Sequence, residues 1–451
     1  MNKLFSRRSF AAGIIALYLV MSVPVTAADS NDITLRLDSP EPAKVEQQIP
    51  QEEPAGTRVV QPSVPQLSPP PVVGGASAVL MDVDTGRVLY AKNAHARRPN
   101  ASTTKIMTAI LLIEHCKMED KIRVSKNAAN TPYTSLHLKQ GETITVKDLL
   151  TGMLIRSAND AAVAAAEHIA GNTKRFAVMM NRKAAEIGCR DTHFVTPNGL
   201  YDPHHYSSAY DLCLMARYAF RYPIFNEAIN TRKYYLLSRS LNKEDMAVYT
   251  RSKFLKNYPG ADGVKSGYIK QARSCYVGSA TRDGWRLVST VLGSNNSTND
   301  TMALMDYGFN NFESVTVAKA NEAVTSEPVK GGGKPSVELV AEHDLKVPVP
   351  RTGAKIVTKL ELIHAQAPIT KGAKLGEVKA IVDGVEMGSV DLKAADDVGV
   401  SMARRAMSLI RYCGILVACV MGGRYGTAFA KNTRRRRRRV TSPLRGYSRY
   451  R

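Results

Sequence analysis

The stretch Ala101-Ser102-Thr103-Thr104-Lys105-Ile106-Met107-Thr108-Ala109-Ile110-Leu111-Leu112-Ile113 decides how the rest of the chain is read. Pro99 and Asn100 break whatever precedes it, and Ile106, Ala109, Ile110 and Ile113 recur at i, i+3, i+4 and i+7, which predicts a buried helix with Ser102 in its first turn. One helical turn separates Ser102 from Lys105, so hydroxyl and amine share a face. A serine hydroxyl attacks only when something takes its proton, and a lysine amine does so when burial and a second cation keep it neutral. The N–H groups of the first turn add positive potential where an oxyanion would form. Ser-x-x-Lys alone is common on helix surfaces and carries little weight.

Its weight comes from two further elements in fixed order. Ser157-Ala158-Asn159 closes the segment Thr145 to Arg156, and Lys265-Ser266-Gly267 follows Gly260-Ala261-Asp262-Gly263-Val264. Ser-x-x-Lys, Ser-x-Asn and Lys-Thr-Gly together mark active-site serine penicillin-binding proteins and β-lactamases, here with Ser266 in place of Thr. The wording between the motifs narrows the choice. Pro99 to Thr108, Ser157 to Ala162, Pro197 to Leu200, Tyr206 to Leu212 and Gly260 to Tyr268 resemble bacterial D-alanyl-D-alanine carboxypeptidases, the low-molecular-mass penicillin-binding proteins. The resemblance runs from about Ala76 to Leu392.

It implies an α+β fold: a penicillin-binding/β-lactamase-like domain, an antiparallel sheet flanked by helices, followed by a small all-β domain. It also implies a role for each motif residue. Ser102 would be the nucleophile, Lys105 the base, and Ser157 the proton relay to the departing amine. Asn159 would hold a substrate amide, and Lys265 and Ser266 the terminal carboxylate. The oxyanion would lie beside Gly267, between the backbone N–H groups of Ser102 and Tyr268. The substrate would be a peptidoglycan stem peptide ending in D-Ala-D-Ala, and β-lactam antibiotics would acylate Ser102 as mimics. No cofactor and no metal enter this chemistry. A D,D-endopeptidase would use the same atoms, and a non-catalytic wall-binding module is the alternative from another class. No Glu-x-x-Leu-Asn segment follows the second motif, which argues against a β-lactamase. The sequence departs from the family in two ways. Ser266 lacks the threonine methyl, and Ser294 to Met305 contains no arginine where many relatives have one, which leaves the substrate carboxylate short of a partner.

Composition bounds the remainder. The 451 residues carry a formal charge of +22, which invites a nucleic-acid reading, yet fourteen Lys and Arg and no acid lie beyond Ser401. The basicity therefore belongs to the tail, and no nucleic-acid partner is expected. Six cysteines show no Cys-x-x-Cys spacing and read as small buried hydrophobes. His204-His205 read as loop histidines, Asp160 as a helix cap, and Tyr201 and Tyr268 as cleft walls.

In chain order, residues 1–27 predict a secretory signal peptide: Lys3, Arg7 and Arg8, an uncharged run, then Val25-Thr26-Ala27. Ser6-Arg7-Arg8-Ser9-Phe10 also resembles a twin-arginine signal. Residues 28–73, rich in proline, predict a disordered spacer. The catalytic domain is expected over 74–316, opening on a hairpin at Asp84-Thr85-Gly86, with Thr145 capping a helix and strands at Ser274 to Ala280 and Arg286 to Leu292. Short strands from Val337 to Leu392 predict the all-β domain over 317–398. Residues 399–430, uncharged from Cys413 to Gly423, predict a membrane-anchoring helix, with a basic tail over 431–451. Interfacial and spanning placements both fit that segment. The chain is thus expected to be exported and held at the outer face of the cytoplasmic membrane.

Overall fold

The computed structural model describes residues 67–241 and 246–440, with side chains to Arg434. The expected signal peptide, most of the proline-rich spacer and the end of the basic tail lie outside the described residues. Where the spacer becomes visible it lies against the fold: the Ser68 N–H donates to Asn311 Oδ1, and Lys92 Nζ donates to the Val73 carbonyl at 2.8 Å.

A five-stranded antiparallel sheet forms the centre of the catalytic half. Its strands are β1 (Ser77–Asp82), β2 (Val88–Lys92), β3 (Ala261–Ile269), β4 (Arg273–Arg282) and β5 (Trp285–Ser294), ordered β2-β1-β5-β4-β3. Every residue of β1 is buried. Strand alternation explains how: Val79 and Met81 join the core on one face while Ala78 and Leu80 join a second core on the other. Both faces are therefore covered by helices.

On the first face lie α1 (Lys105–His115), α2 (Val146–Arg156), α3 (Asn159–Ala170), α4 (Thr173–Ile187) and α5 (Ala209–Ala219). On the second lies α6 (Ser297–Asn311), whose Leu304, Met305 and Phe309 pack with Leu80, Leu287 and Val291. The helix α1 is buried from Lys105 to Leu112, as its apolar run requires. Ser102 stands just ahead of it, in a 3-10 turn over Ala101–Thr104, rather than in its first α-turn. Ala101 opens the turn at φ +48°, and Gly199 packs against its carbonyl. Thr145 caps α2, accepting from the Asp148 N–H, and α2 ends with Ser157 in the left-handed region at φ 66°.

The all-β part carries β6 (Phe312–Ala318), β7 (Ala323–Lys330), β8 (Ser336–Ala341), β9 (Leu345–Pro350), β10 (Ile356–Leu362), β11 (Ala365–Gln366), β12 (Lys374–Val382) and β13 (Val385–Ala394). Strands β6 and β9 form a ribbon, and the other six a sheet ordered β10-β12-β13-β8-β7-β11. They enclose a separate apolar core that includes Leu339, Val347, Ala380, Val382 and Leu392. The strand β6 spans the expected domain border near 316. Beyond Ser401 one helix, α7 (Met402–Val440), runs unbroken. Among the described residues it is the one helix long and apolar enough to cross a membrane, and none of its apolar stretch is buried.

Candidate active site

The edge strand β3 and the turn carrying Ser102 face each other across a cavity of about 400 Å³. Ser102, Ser157, Lys265, Ser266, Gly267 and Tyr268 all line it. Lys105 and Asn159 lie behind that lining, fully or almost fully buried.

The fold explains each placement. Lys105 follows Ser102 by three residues where the 3-10 turn passes into α1, and its Nζ lies 2.9 Å from Ser102 Oγ. The same amine donates to Asn159 Oδ1 at 2.8 Å and to the Asn198 carbonyl at 2.7 Å. Asn159 is held in that orientation because its Nδ2 donates to the Pro132 carbonyl at 2.8 Å and its backbone N–H to the Thr134 carbonyl at 2.7 Å. Burial holds the Lys105 ammonium well below its usual range, and the nearby Lys265 charge adds to the effect, against a smaller opposing pull from Asp160.

Lys265 projects from β3 and donates to Ser157 Oγ at 2.9 Å and to the Ser266 carbonyl at 2.6 Å. It is 3 % exposed, and burial pulls its ammonium down to about 7. The two amines thus bracket two hydroxyls: Lys105 takes Ser102, and Lys265 takes Ser157.

Gly267 is where β3 comes closest to the turn. A Cβ there would sit 2.7 Å from the Ser102 nitrogen and 3.0 Å from Ala101 Cβ. Glycine is needed so that the strand backbone can approach the N–H that faces the cleft. Tyr268 stands beside it, 73 % exposed, as a wall. Tyr201 does not line the cavity.

One of the remaining readings from sequence changes and another is refined. Asp160 is not the cap of α3, whose N-cap is Ala158. Its buried carboxylate instead accepts from Ser135 Oγ and from the N–H groups of Leu136 and Leu138, tying down the loop that supplies the Asn159 acceptors. His205 is a loop histidine, as read, but a buried one. No arginine stands between Ser294 and Met305, and Arg156 and Arg251 are among the residues that line the cavity. The backbone acceptors at Asn198, Pro132 and Thr134 gave no signal in sequence, because any residue type supplies a carbonyl. The six cysteines are free, with Cys189, Cys213 and Cys275 buried. Among the described residues no group of His, Cys, Asp and Glu could hold a metal ion.

An antiparallel sheet between helices, with a serine, two buried lysines and an asparagine converging beside its edge strand, defines a serine acyl-transfer enzyme of the penicillin-recognising fold. Comparison with known proteins narrows the class. A family model described as D-alanyl-D-alanine carboxypeptidase matches residues 65–296, and one described as penicillin-binding protein 5, C-terminal domain, matches residues 312–400. The chain belongs to the D-alanyl-D-alanine carboxypeptidase family and is a serine hydrolase of that kind. It is 36 % identical over 332 residues to the D-alanyl-D-alanine carboxypeptidase DacF of Bacillus subtilis, covering 71 % of this chain and 85 % of the relative. It is 32 % identical to DacA of Haemophilus influenzae, covering 73 % and 86 % respectively. The crystal structure of penicillin binding protein 5 from Haemophilus influenzae superposes with a TM-score of 0.62 at 30 % identity, over 74 % of this chain and 99 % of that one.

Proposed function

We propose that the chain removes the terminal D-Ala from peptidoglycan stem pentapeptides through an acyl-enzyme on Ser102. The observation that carries this assignment is the set of contacts around Lys105. A neutral amine has two N–H groups and one lone pair. The Asn159 Oδ1 and Asn198 carbonyl acceptors take the two N–H groups, which leaves the lone pair aimed at Ser102 Oγ. Lys105 then accepts the Ser102 proton as the oxygen attacks the carbonyl carbon of the D-Ala-D-Ala bond. The oxyanion sits at the Ser102 and Tyr268 N–H groups, next to Gly267. As the C–N bond breaks, the proton that Lys105 took from Ser102 is handed on through the Ser157 hydroxyl, poised by Lys265, to the departing amine, so D-Ala leaves and Lys105 is neutral again. Water attacks the ester, Lys105 again takes the proton, and the Ser102 hydroxyl is restored.

Lys265, Ser266 and Arg251 neutralise the substrate carboxylate, Lys265 by charge and Ser266 by its hydroxyl. Asn159 holds the substrate amide. A β-lactam acylates Ser102 by the same first half-reaction.

The helix α7 holds the chain to the membrane, with the catalytic half outside. Its character favours a span over a surface placement. Ile415, Leu416 and Val417 are consecutive and exposed, so the apolar surface runs all round, whereas an interfacial helix needs a polar face. Tyr412 to Ala430 extends about 28 Å, close to the hydrocarbon thickness, with Arg424 as its single charge. The arginines at 434–439 then lie on the cytoplasmic side.

Incubating the full-length protein with a pentapeptide ending in D-Ala-D-Ala tests the assignment. Release of free D-Ala and stoichiometric labelling by a fluorescent penicillin are expected, both abolished by Ser102→Ala. Rapid β-lactam turnover, or neither signal from the wild type, would overturn it.

A further inference from the structure

Behind the turn that carries Ser102 lies a buried imidazole that the reaction does not use. His205 is 3 % exposed and touches two separate pieces of the site. Its Nδ1 accepts from the backbone N–H of Val195 at 3.0 Å and of Thr196 at 3.2 Å. A nitrogen that receives two N–H groups carries no proton, so the ring proton is on Nε2. That nitrogen lies 2.9 Å from Thr104 Oγ1 and donates to it. Thr104 Oγ1 donates in turn to the Ala101 carbonyl at 2.8 Å and also receives Asn100 Nδ2 at 3.0 Å. The hydroxyl is fully committed, and every donor in the chain has one direction.

The two pieces joined by the ring are those that set the reacting atoms. Thr104 and Ala101 bracket Ser102 in its 3-10 turn. Val195 and Thr196 begin the loop that presents the Asn198 carbonyl to Lys105. In the same loop Gly199 packs against the Ala101 carbonyl, where a Cβ would come within 1.9 Å.

We propose that His205 is a positioning residue for the acylation step: one neutral ring pins the Asn198 loop to the Ser102 turn, and thereby keeps the base in register with the nucleophile. The inference rests on the assignment of Ser102 and Lys105 given above. The surroundings suit a permanently neutral ring. Phe194 packs edge-on at 5.5 Å; Asp202 faces it with the one charge favouring protonation, while His193 and Lys105 oppose it. Burial dominates and holds the imidazolium form down to about 4.

The test compares full-length His205→Phe, His205→Gln and Thr104→Val with the wild type. The rate of acylation by a fluorescent penicillin, kcat and KM for D-Ala release, and the thermal midpoint are measured for each. Glutamine retains a donor for Thr104 and an acceptor for the loop, so it should stay within about tenfold of the wild type, whereas phenylalanine should lower acylation and kcat roughly a hundredfold with KM little changed. Thr104→Val keeps the shape and removes the hydroxyl, so it should reproduce the loss without the ring being altered. Wild-type acylation in a folded His205→Phe or in Thr104→Val would overturn the proposal, as would a loss confined to thermal stability. A wild type that is itself not acylated would refute the Ser102 assignment rather than this one.

Discussion

At the scale of single residues, the proposed chemistry needs two lysines in different protonation states at one pH. Lys105, wholly buried and facing a second cation, is held well below its ordinary range, which suits the base proposed for it. Lys265, pulled to about 7, is cationic below that value and loses its proton above it. The signs follow. As pH falls, Lys105 gains a proton and kcat should decline; as pH rises above about 7, Lys265 loses charge and KM for the carboxylate-bearing peptide should rise. Separate pH profiles of kcat and KM check this, and a KM that is flat from pH 6 to 9 would contradict it. Gly267 gives a steric prediction. Gly267→Ala forces β3 away from the Ser102 N–H and should slow penicillin acylation roughly a hundredfold while the thermal midpoint holds within a few degrees. The motif residues were legible in sequence because the chemistry demands particular side chains. Their supports were not, since Asn198 and Pro132 contribute carbonyls and His205 is defined by contacts with residues far along the chain.

At the scale of elements, the loop between Pro132 and Lys139 is the part most dependent on buried polar contacts. Asp160 holds its N–H groups from below. Arg239 holds its carbonyls from the other side, donating to Leu136 at 3.0 Å and His137 at 3.1 Å. Arg239 pairs with Glu142 at 2.7 Å, with both side chains fully buried. Glu142→Gln keeps the shape and removes the negative charge opposite a buried guanidinium that retains its carbonyl acceptors, and should cost roughly 3 kcal/mol of stability, read as a lowered denaturation midpoint. An unchanged midpoint would show that the loop holds without the pair. Elements with a clean period were readable: the β4–β5 hairpin and the Thr145 cap lie where the pattern puts them. The strand β10 is less legible, because this edge strand is exposed along almost its whole length. Strands β7 and β9 carry Pro328, Pro348 and Pro350, which mask a strand in sequence.

At the scale of the whole molecule, the proposed catalysis and the proposed anchoring should be separable. The apolar stretch of α7 buries nothing within the chain. Ending the chain after Ser401 should therefore release a soluble protein with kcat on a short pentapeptide unchanged, checked by partition after detergent-free lysis and by D-Ala release. Loss of activity in that soluble form would tie α7 to the fold. The way α7 joins the sheet has its own consequence. Val400 pairs with Gly332, the Ser401 N–H donates to the Gly331 carbonyl at 3.0 Å, and the helix begins at Met402. No linker separates sheet from helix, so with α7 as the proposed membrane anchor the all-β half should act as a pylon of fixed height, and the stratum of wall within reach should follow the length of the protein rather than thermal wandering on a leash.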